Sequence, residues 1–219
     1  MDEKTLKAIA QQLRKPEGEY ATAVGNKMNE GNKIINLQSI EAMDIQDNDE
    51  ILEIGMGNGF FVKELFNINK TITYSGCDYS EEMVAEAAKL NDNLIKQNKA
   101  EFILANGKEL PFNDHLFDKI LTINTLYFWE DPENYFNEIK RVLKKDGKLT
   151  IGIRPRSVMK SYPFVKYGFN MFSKEELITL LTQNKFEIEK VEENMEPDQE
   201  NEGIKFKVEN LIAVAKIIN

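Results

Sequence analysis

Cysteine, histidine and tryptophan each occur once in this 219-residue chain, at Cys77, His115 and Trp129. A single cysteine excludes an intramolecular disulfide and any metal site built from a cysteine cluster, so no metal is expected. Inside an apolar stretch, Cys77 reads as a small buried hydrophobe. Positive charge is also scarce: 28 Lys and Arg against 37 Asp and Glu leave a formal net charge of −9. Non-specific affinity for nucleic acid comes mainly from neutralising phosphates, so a nucleic-acid partner is not expected. No apolar run approaches the roughly 20 residues of a membrane span. The first fifteen residues carry acids and lysines in place of the apolar core of a leader. A cytoplasmic location without membrane contact follows as the expectation.

What is present is enough apolar residue, 42% of the chain, for one domain with a real core and an N-terminal elaboration. Its most informative stretch is residues 51 to 59, Ile-Leu-Glu-Ile-Gly-Met-Gly-Asn-Gly. A short apolar strand carrying an acid runs into three glycines at alternate positions, ahead of a helical pattern. Glycine tolerates positive φ and carries no Cβ to hold a ligand off the backbone, so Gly55, Gly57 and Gly59 suit a nucleotide-type loop. A dinucleotide fingerprint would need glycine at position 60, which is Phe60. The spacing therefore favours S-adenosylmethionine (SAM) over NAD.

Before this unit, Leu6, Ile9 and Leu13 predict a helix that Lys15-Pro16-Glu17-Gly18 breaks, and Ile34, Leu37, Ile40 and Met43 predict another. After it, strands and helices alternate. Strands are predicted at about 50 to 54, 71 to 77, 102 to 106, 117 to 124 and 148 to 153. Ser80 reads as an N-cap, Asp131-Pro132 as N-cap and N1, and Ser173 with Glu176 as a capping box. Two last apolar stretches, 186 to 191 and 204 to 217, read as an antiparallel hairpin joined by the polar segment 192 to 203. Such alternation implies a mostly parallel sheet with helices on both faces and ligands at the carboxyl ends of its strands. Glu53 to Gly59, Asp78 with Tyr79, Asn106 with Gly107, and Asn124 to Trp129 all follow strands.

Taken together, four segments resemble the class I SAM-dependent methyltransferases of the small-molecule type: LEIGMGNG (52 to 59), CDYS (77 to 80), ANGKELPFNDHLFD (105 to 118) and RVLKKDGKL (141 to 149). They stand in the family's order across roughly residues 50 to 190. The resemblance implies an α/β fold, a Rossmann-like doubly wound, mostly parallel seven-stranded sheet with a C-terminal antiparallel hairpin. An N-terminal helical cap (1 to 48) would precede a core domain (49 to 219). It also implies SAM as cofactor, a small-molecule substrate, and roles for particular residues. The three glycines and Glu53 would meet the methionine part, Asp78 both ribose hydroxyls, Tyr79 the adenine, and the Asn124 carbonyl the ammonium. Asn106, followed by Gly107, stands where the family commonly has Asp to accept from the adenine amino group. Without charge assistance that bond weakens by on the order of 1 kcal/mol. Asp78 also has an ordinary reading as a helix-capping residue.

Methyl transfer from a sulfonium is an in-line displacement, so alignment matters more than acid–base help, and a catalytic base is optional. The only histidine, His115, lies in a loop that in the resembling proteins is remote from the methyl group. Tyr127 and Glu130 are the other candidate bases. Trp129, Tyr127, Tyr162 and, from the cap, Tyr20 are candidates to contact the acceptor, although such aromatics also serve as plain packing. Arg154 and Arg156 could meet an acidic substrate or be solvated loop charges. A SAM-binding sensor without transferase activity is the alternative reading. The acceptor and the oligomeric state are not legible.

Overall fold

The computed structural model describes residues 1–201 and 204–218, with side chains 198–201 and 204–206 excepted. Three helices come first: α1 (Glu3–Arg14), α2 (Ala21–Gly31) and α3 (Lys33–Ala42). Asp2 caps α1 by accepting from the Thr5 amide at 2.8 Å. The α3 helix faces the core through Ile35, Asn36, Ser39 and Ile40, followed by Met43. Of the stripe Ile34, Leu37, Ile40 and Met43 expected from sequence, Ile40 and Met43 are buried, Ile34 is partly buried and Leu37 is exposed. A three-residue spacing drifts off one face of a 3.6-residue helix, whereas 35/39 and 36/40 stay on it.

The remainder alternates: β1 (Glu50–Ile54), α4 (Val62–Ile68), β2 (Thr73–Asp78), α5 (Glu81–Leu90), α6 (Asp92–Lys96), β3 (Ala100–Leu104), β4 (Phe117–Ile123), α7 (Pro132–Val142), β5 (Leu143–Ile153), α8 (Arg156–Met159), α9 (Lys174–Gln183), β6 (Phe186–Asn201) and β7 (Ile204–Ile217). The seven strands lie in the order β3-β2-β1-β4-β5-β7-β6. The first five run parallel, and β7 is antiparallel to both β5 and β6. This is the mixed, Rossmann-like sheet expected from the resemblance.

Burial on both faces explains the continuous apolar runs. Successive residues of a strand point to opposite faces. Leu52 and Ile120 join one core layer with Phe136, Ile139 and Leu177; Ile51 and Leu121 join the other with Ile35, Val62 and Leu65. The order reverses between β1 and β4, and that switch point opens a crevice at the carboxyl ends of the strands. No helix among the described residues is long and apolar enough to cross a membrane.

Two expectations need correction. The Asp146-Gly147 turn is absorbed into β5, which starts at Leu143 and shifts register against β4 between Phe117 and Lys119. More consequentially, 192 to 201 is strand, not connector; residues 202 and 203 lie outside the described residues. Beyond the Ile153–Leu211 pair, β6 and β7 continue as a two-stranded arm past the carboxyl end of β5. Its base is tied to the rest of the fold. Arg154, buried, forms an ion pair with buried Glu196 and donates to the carbonyls of Gly31 (3.0 Å) and Glu209 (3.2 Å). Asn210 donates to Glu196 and Gln38, each at 2.7 Å. Arg154 is thus a structural ion, and Arg156 is engaged by Glu176 and the Met171 carbonyl.

Candidate active site

The glycine loop is fastened to the end of β2. The amides of Gly55 and Met56 donate to the Cys77 carbonyl at 2.7 and 3.2 Å, and the Gly57 amide donates to Asp78 Oδ2 at 3.0 Å. Gly55, Gly57 and Gly59 all take positive φ (78°, 57° and 66°), which L side chains rarely adopt. Their surroundings differ. A Cβ on Gly55 would lie 2.2 Å from Thr125 Cγ2, and one on Gly59 would lie 2.9 Å from Ala87 Cβ. A Cβ on Gly57 would meet nothing within 4 Å, in the crevice itself. Gly55 and Gly59 are hemmed in by protein, whereas Gly57 opens onto the crevice.

Two buried carboxylates face the same crevice. Asp78 Oδ1 accepts from the Ser80 amide at 2.9 Å while Oδ2 takes the Gly57 amide, so each oxygen retains acceptor capacity. Burial raises the Asp78 pKa, and those amides oppose the rise. Helix α5 is capped by Ser80, whose hydroxyl accepts from the Met83 amide at 3.2 Å, leaving Asp78 available for the crevice. Glu53 accepts from the Tyr74 hydroxyl at 2.7 Å. Burial lifts Glu53 to about 7, the Tyr74 bond opposing this and the charge of Asp78 adding to it. Tyr79 lies beside them, its phenol pushed up to about 12 by burial against the pull of Arg14.

The opposite wall comes from the first three helices. Leu13, Arg14 and Pro16 roof the crevice; Met28, Asn29, Asn32 and Asn36 line its side. The segment after α1 is anchored to α5 on one flank: Ser80 Oγ donates to the Pro16 carbonyl, the Gly18 amide donates to Glu82 at 2.9 Å, and Thr22 bonds Glu86. On the other flank Arg14 reaches Glu130, past the end of β4, at 2.7 Å. The floor near β4 holds Asn124, Thr125, Phe128, Trp129 and Tyr135, with Trp129 stacked on Tyr135 at 4.5 Å and 5° between planes.

Of the residues singled out from sequence, Glu53, Gly55, Gly57, Asp78, Tyr79, Asn106, Asn124 and Trp129 line this crevice. Asn106 Oδ1 already accepts from the Lys108 amide at 2.9 Å, which stiffens its loop and leaves one lone pair. Gly59 packs against α5, and a Cβ on Gly107 would press on the Tyr135 ring at 3.0 Å; both shape the crevice from behind.

Several candidates do not converge. His115 sits before β4, at the amino ends of the strands, its Nδ1 3.1 Å from the Leu143 carbonyl; parallel strands put that end opposite the glycine loop. Tyr127 is buried beneath the floor, its hydroxyl donating to Asn124 Oδ1 at 2.9 Å and accepting from the Arg154 amide, and burial drives its pKa well above that of a free phenol. It locks the ends of β4 and β5 together and is placed as no base. Glu130 is held at the rim by Arg14. Tyr20 is 62% exposed and outside the crevice, and Tyr162 stacks on Phe164 away from it. Sequence reasoning missed Arg14, Met28, Asn29, Asn32, Asn36, Thr125 and Tyr135. The asparagines carried no shared periodic signal, because Asn29 lies in the last turn of α2, Asn32 at the junction and Asn36 in the first turn of α3.

A family model described as a methyltransferase domain matches residues 52–151. A putative methyltransferase of Bacillus subtilis, YrhH, is 30% identical over 134 residues, which cover 61% of this chain and 73% of that relative. The chain belongs to the class I SAM-dependent methyltransferases. Among solved structures, a SAM-dependent methyltransferase of Methanosarcina mazei is 25% identical with a TM-score of 0.66, covering 82% of this chain and 96% of that one. A putative methyltransferase of Haloferax volcanii, solved in complex with the Trm112 activator, shares the fold at a TM-score of 0.79 and 18% identity, covering 91% and 95%. The crevice of this methyltransferase suits its cofactor: an open space above Gly57 for close backbone approach, and two carboxylates within reach of a cation and of vicinal hydroxyls.

Proposed function

We propose that this methyltransferase moves the methyl group of SAM onto a small molecule held beneath its first three helices, which act as a cap over the core that follows residue 48. The observation that carries this reading is the roof. Leu13, Arg14 and Pro16 overhang the crevice and their segment is held on both flanks, which favours a small acceptor over a polymer. A chain of net charge −9 also offers little attraction to a polynucleotide.

In this reading Asp78 accepts the ribose hydroxyls, Glu53 balances the ammonium, Tyr79 and Asn106 meet the adenine, and Asn124 closes the methionine end. When bound, the cofactor supplies an activated methyl group on a sulfonium. The chain's own work is to align the nucleophile with it and keep water out. Phe128, Trp129 and Tyr135 provide the apolar floor. With the Tyr127 hydroxyl engaged, Glu130 paired at the rim, His115 at the far end and the two crevice carboxylates assigned to the cofactor, this reading uses no separate base for the acceptor. The nucleophile therefore enters with its lone pair already available.

Calorimetry with SAM and with its demethylated product, combined with labelled methyl transfer into a metabolite extract, tests this. Saturable binding of both and label in the low-molecular-mass fraction are expected. Binding without transfer would instead favour the sensor reading, and label confined to RNA or protein would overturn the small-molecule assignment.

A further inference from the structure

The crevice has more lining than the cofactor side uses, and the surplus is chemically distinct. Among the described residues that line it, only Arg14, Glu53 and Asp78 are charged. The two acids stand at the glycine loop, and Arg14 is compensated by Glu130. The wall across from the loop presents carboxamides instead. Asn29 lies in the last turn of α2, Asn32 at the junction between helices, and Asn36 in the first turn of α3. Asn36 is 8% exposed and aligned by an Nδ2 bond to the Asn32 carbonyl at 2.8 Å. The side-chain amides of Asn29 and Asn32 have no hydrogen-bond partner among the described residues, and each offers two donors and an acceptor.

Resting on the methyltransferase reading above, we infer that Asn29, Asn32 and Asn36 are the side chains that recognise the acceptor. They select an uncharged molecule with adjacent hydrogen-bond donor and acceptor groups, such as a carboxamide. A carboxylate would enter beside Glu53 and Asp78 while Arg14, the cation in the lining, is already paired with Glu130, and an ammonium would find no spare anion on this wall. A carboxamide pairs with an asparagine amide through one donor and one acceptor on each side. A site built to hydrogen-bond such a group discriminates against analogues that lack it, because its own polar groups are then left unpaired.

The test uses the SAM-saturated full chain and para-substituted benzene probes in three matched series. Each series carries an amine, a phenol or a thiol as the attacking group, with carboxamide, carboxylate or protonated aminomethyl opposite, so the attacking atom is not the variable. Transfer of labelled methyl to the carboxamide series is expected to exceed the charged series at least about tenfold in kcat/KM. Asn29→Ala and Asn32→Ala should each raise KM for the carboxamide about fivefold to tenfold, leaving kcat and SAM affinity within about twofold. Asn32→Asp should shift preference toward the aminomethyl probe. Equal or better use of a charged series, unchanged KM in both alanine variants, or no methylation of any probe by a chain that binds SAM would each overturn the inference. Failure of the underlying reading differs: SAM does not bind, or no label passes to a metabolite extract. Thermal melts of the variants separate misfolding from lost recognition.

Discussion

The two walls of the crevice hold their ligand-facing groups in opposite ways. On the glycine-loop wall the groups are backbone amides and carboxylates at strand ends, cross-linked by Gly57 to Asp78 and Gly55 to Cys77 hydrogen bonds and desolvated enough to lift Glu53 to about 7. On the helical wall they are neutral side chains on α2 and α3, with Arg14 reaching over the top from α1. A wall made of strained backbone and buried charge tolerates few substitutions, because conformation, desolvation and ligand contact reside in the same atoms. A wall of half-exposed side chains on a packed helix can change its chemistry while the helix stays in place. In the reading above, cofactor binding is built on the first and acceptor choice on the second.

The largest expected effect breaks the glycine wall at two points with different outcomes. Gly55→Ala drives a methyl group into Thr125 at positive φ, and should cost roughly 2 to 4 kcal/mol of stability together with SAM binding. Gly57→Ala meets no protein atom, so its cost is the left-handed backbone alone, about 1 to 2 kcal/mol. The methyl group then projects where the ligand must approach, and SAM affinity should fall about a hundredfold. Chemical denaturation and calorimetry on both variants check the contrast; equal stability losses would remove the distinction between packing and ligand glycines.

A smaller effect, about tenfold, concerns pH. With Glu53 near 7 in the free protein, its cationic-ligand-binding form is about one-tenth populated at pH 6 and about nine-tenths at pH 8, so SAM should bind about tenfold tighter at pH 8 and take up the difference as released protons. The sign for stability is opposite. A carboxylate whose folded pKa is raised binds more protons folded than unfolded, so its contribution to stability diminishes as pH rises from about 4.5 to about 7. Glu53→Gln should therefore weaken SAM binding at pH 8, flatten its pH dependence and raise the Tm of the free protein at pH 8. Calorimetry in buffers of different ionisation enthalpy measures the proton count, and a count of zero at pH 6.5 would discard the assignment.

The smallest effect lies between the walls. Arg14 and Glu130 are joined across the crevice mouth, but both are substantially exposed, 40% and 66% at the side chain, where ion pairs add little to stability. Glu130→Gln should leave Tm unchanged and speed release of the demethylated cofactor severalfold, by releasing the flank of the roof that Arg14 holds. Stopped-flow release rates that rise with salt in the parent chain and not in the variant would sharpen this view; identical rates would refute it.

The glycine wall was legible in the chain because its determinants are local. Positive-φ glycines, an acid at a strand end and an apolar run for β4 need only a few neighbours to define them. The helical wall was not, because the apolar stripe read for α3 gives no sign of which polar residues are buried with it. Packing against β4 and β5 turns Asn36 inward with Ile40 and leaves Leu37 exposed. Tyr127 shows the same limit: its position after β4 marked it as a site residue, and only the distant Arg154 peptide shows its hydroxyl to be saturated. Polar composition likewise pointed to a connector at 192 to 201, where Arg154, 42 residues from Glu196, completes a buried network that makes strand.

The sequence by itself determined the cofactor loop, the order of strands and helices and the family, since backbone conformation and strand burial are written in residues close together. Only the tertiary structure decided which of three aligned glycines are hemmed in by protein and which opens onto the crevice, which candidate bases are withdrawn from it, and that asparagines from the preceding helices form its second wall. Those outcomes depend on how separate elements pack. The free energy of burying one helix face against a sheet is shared among residues far apart in the chain, so no short segment records it.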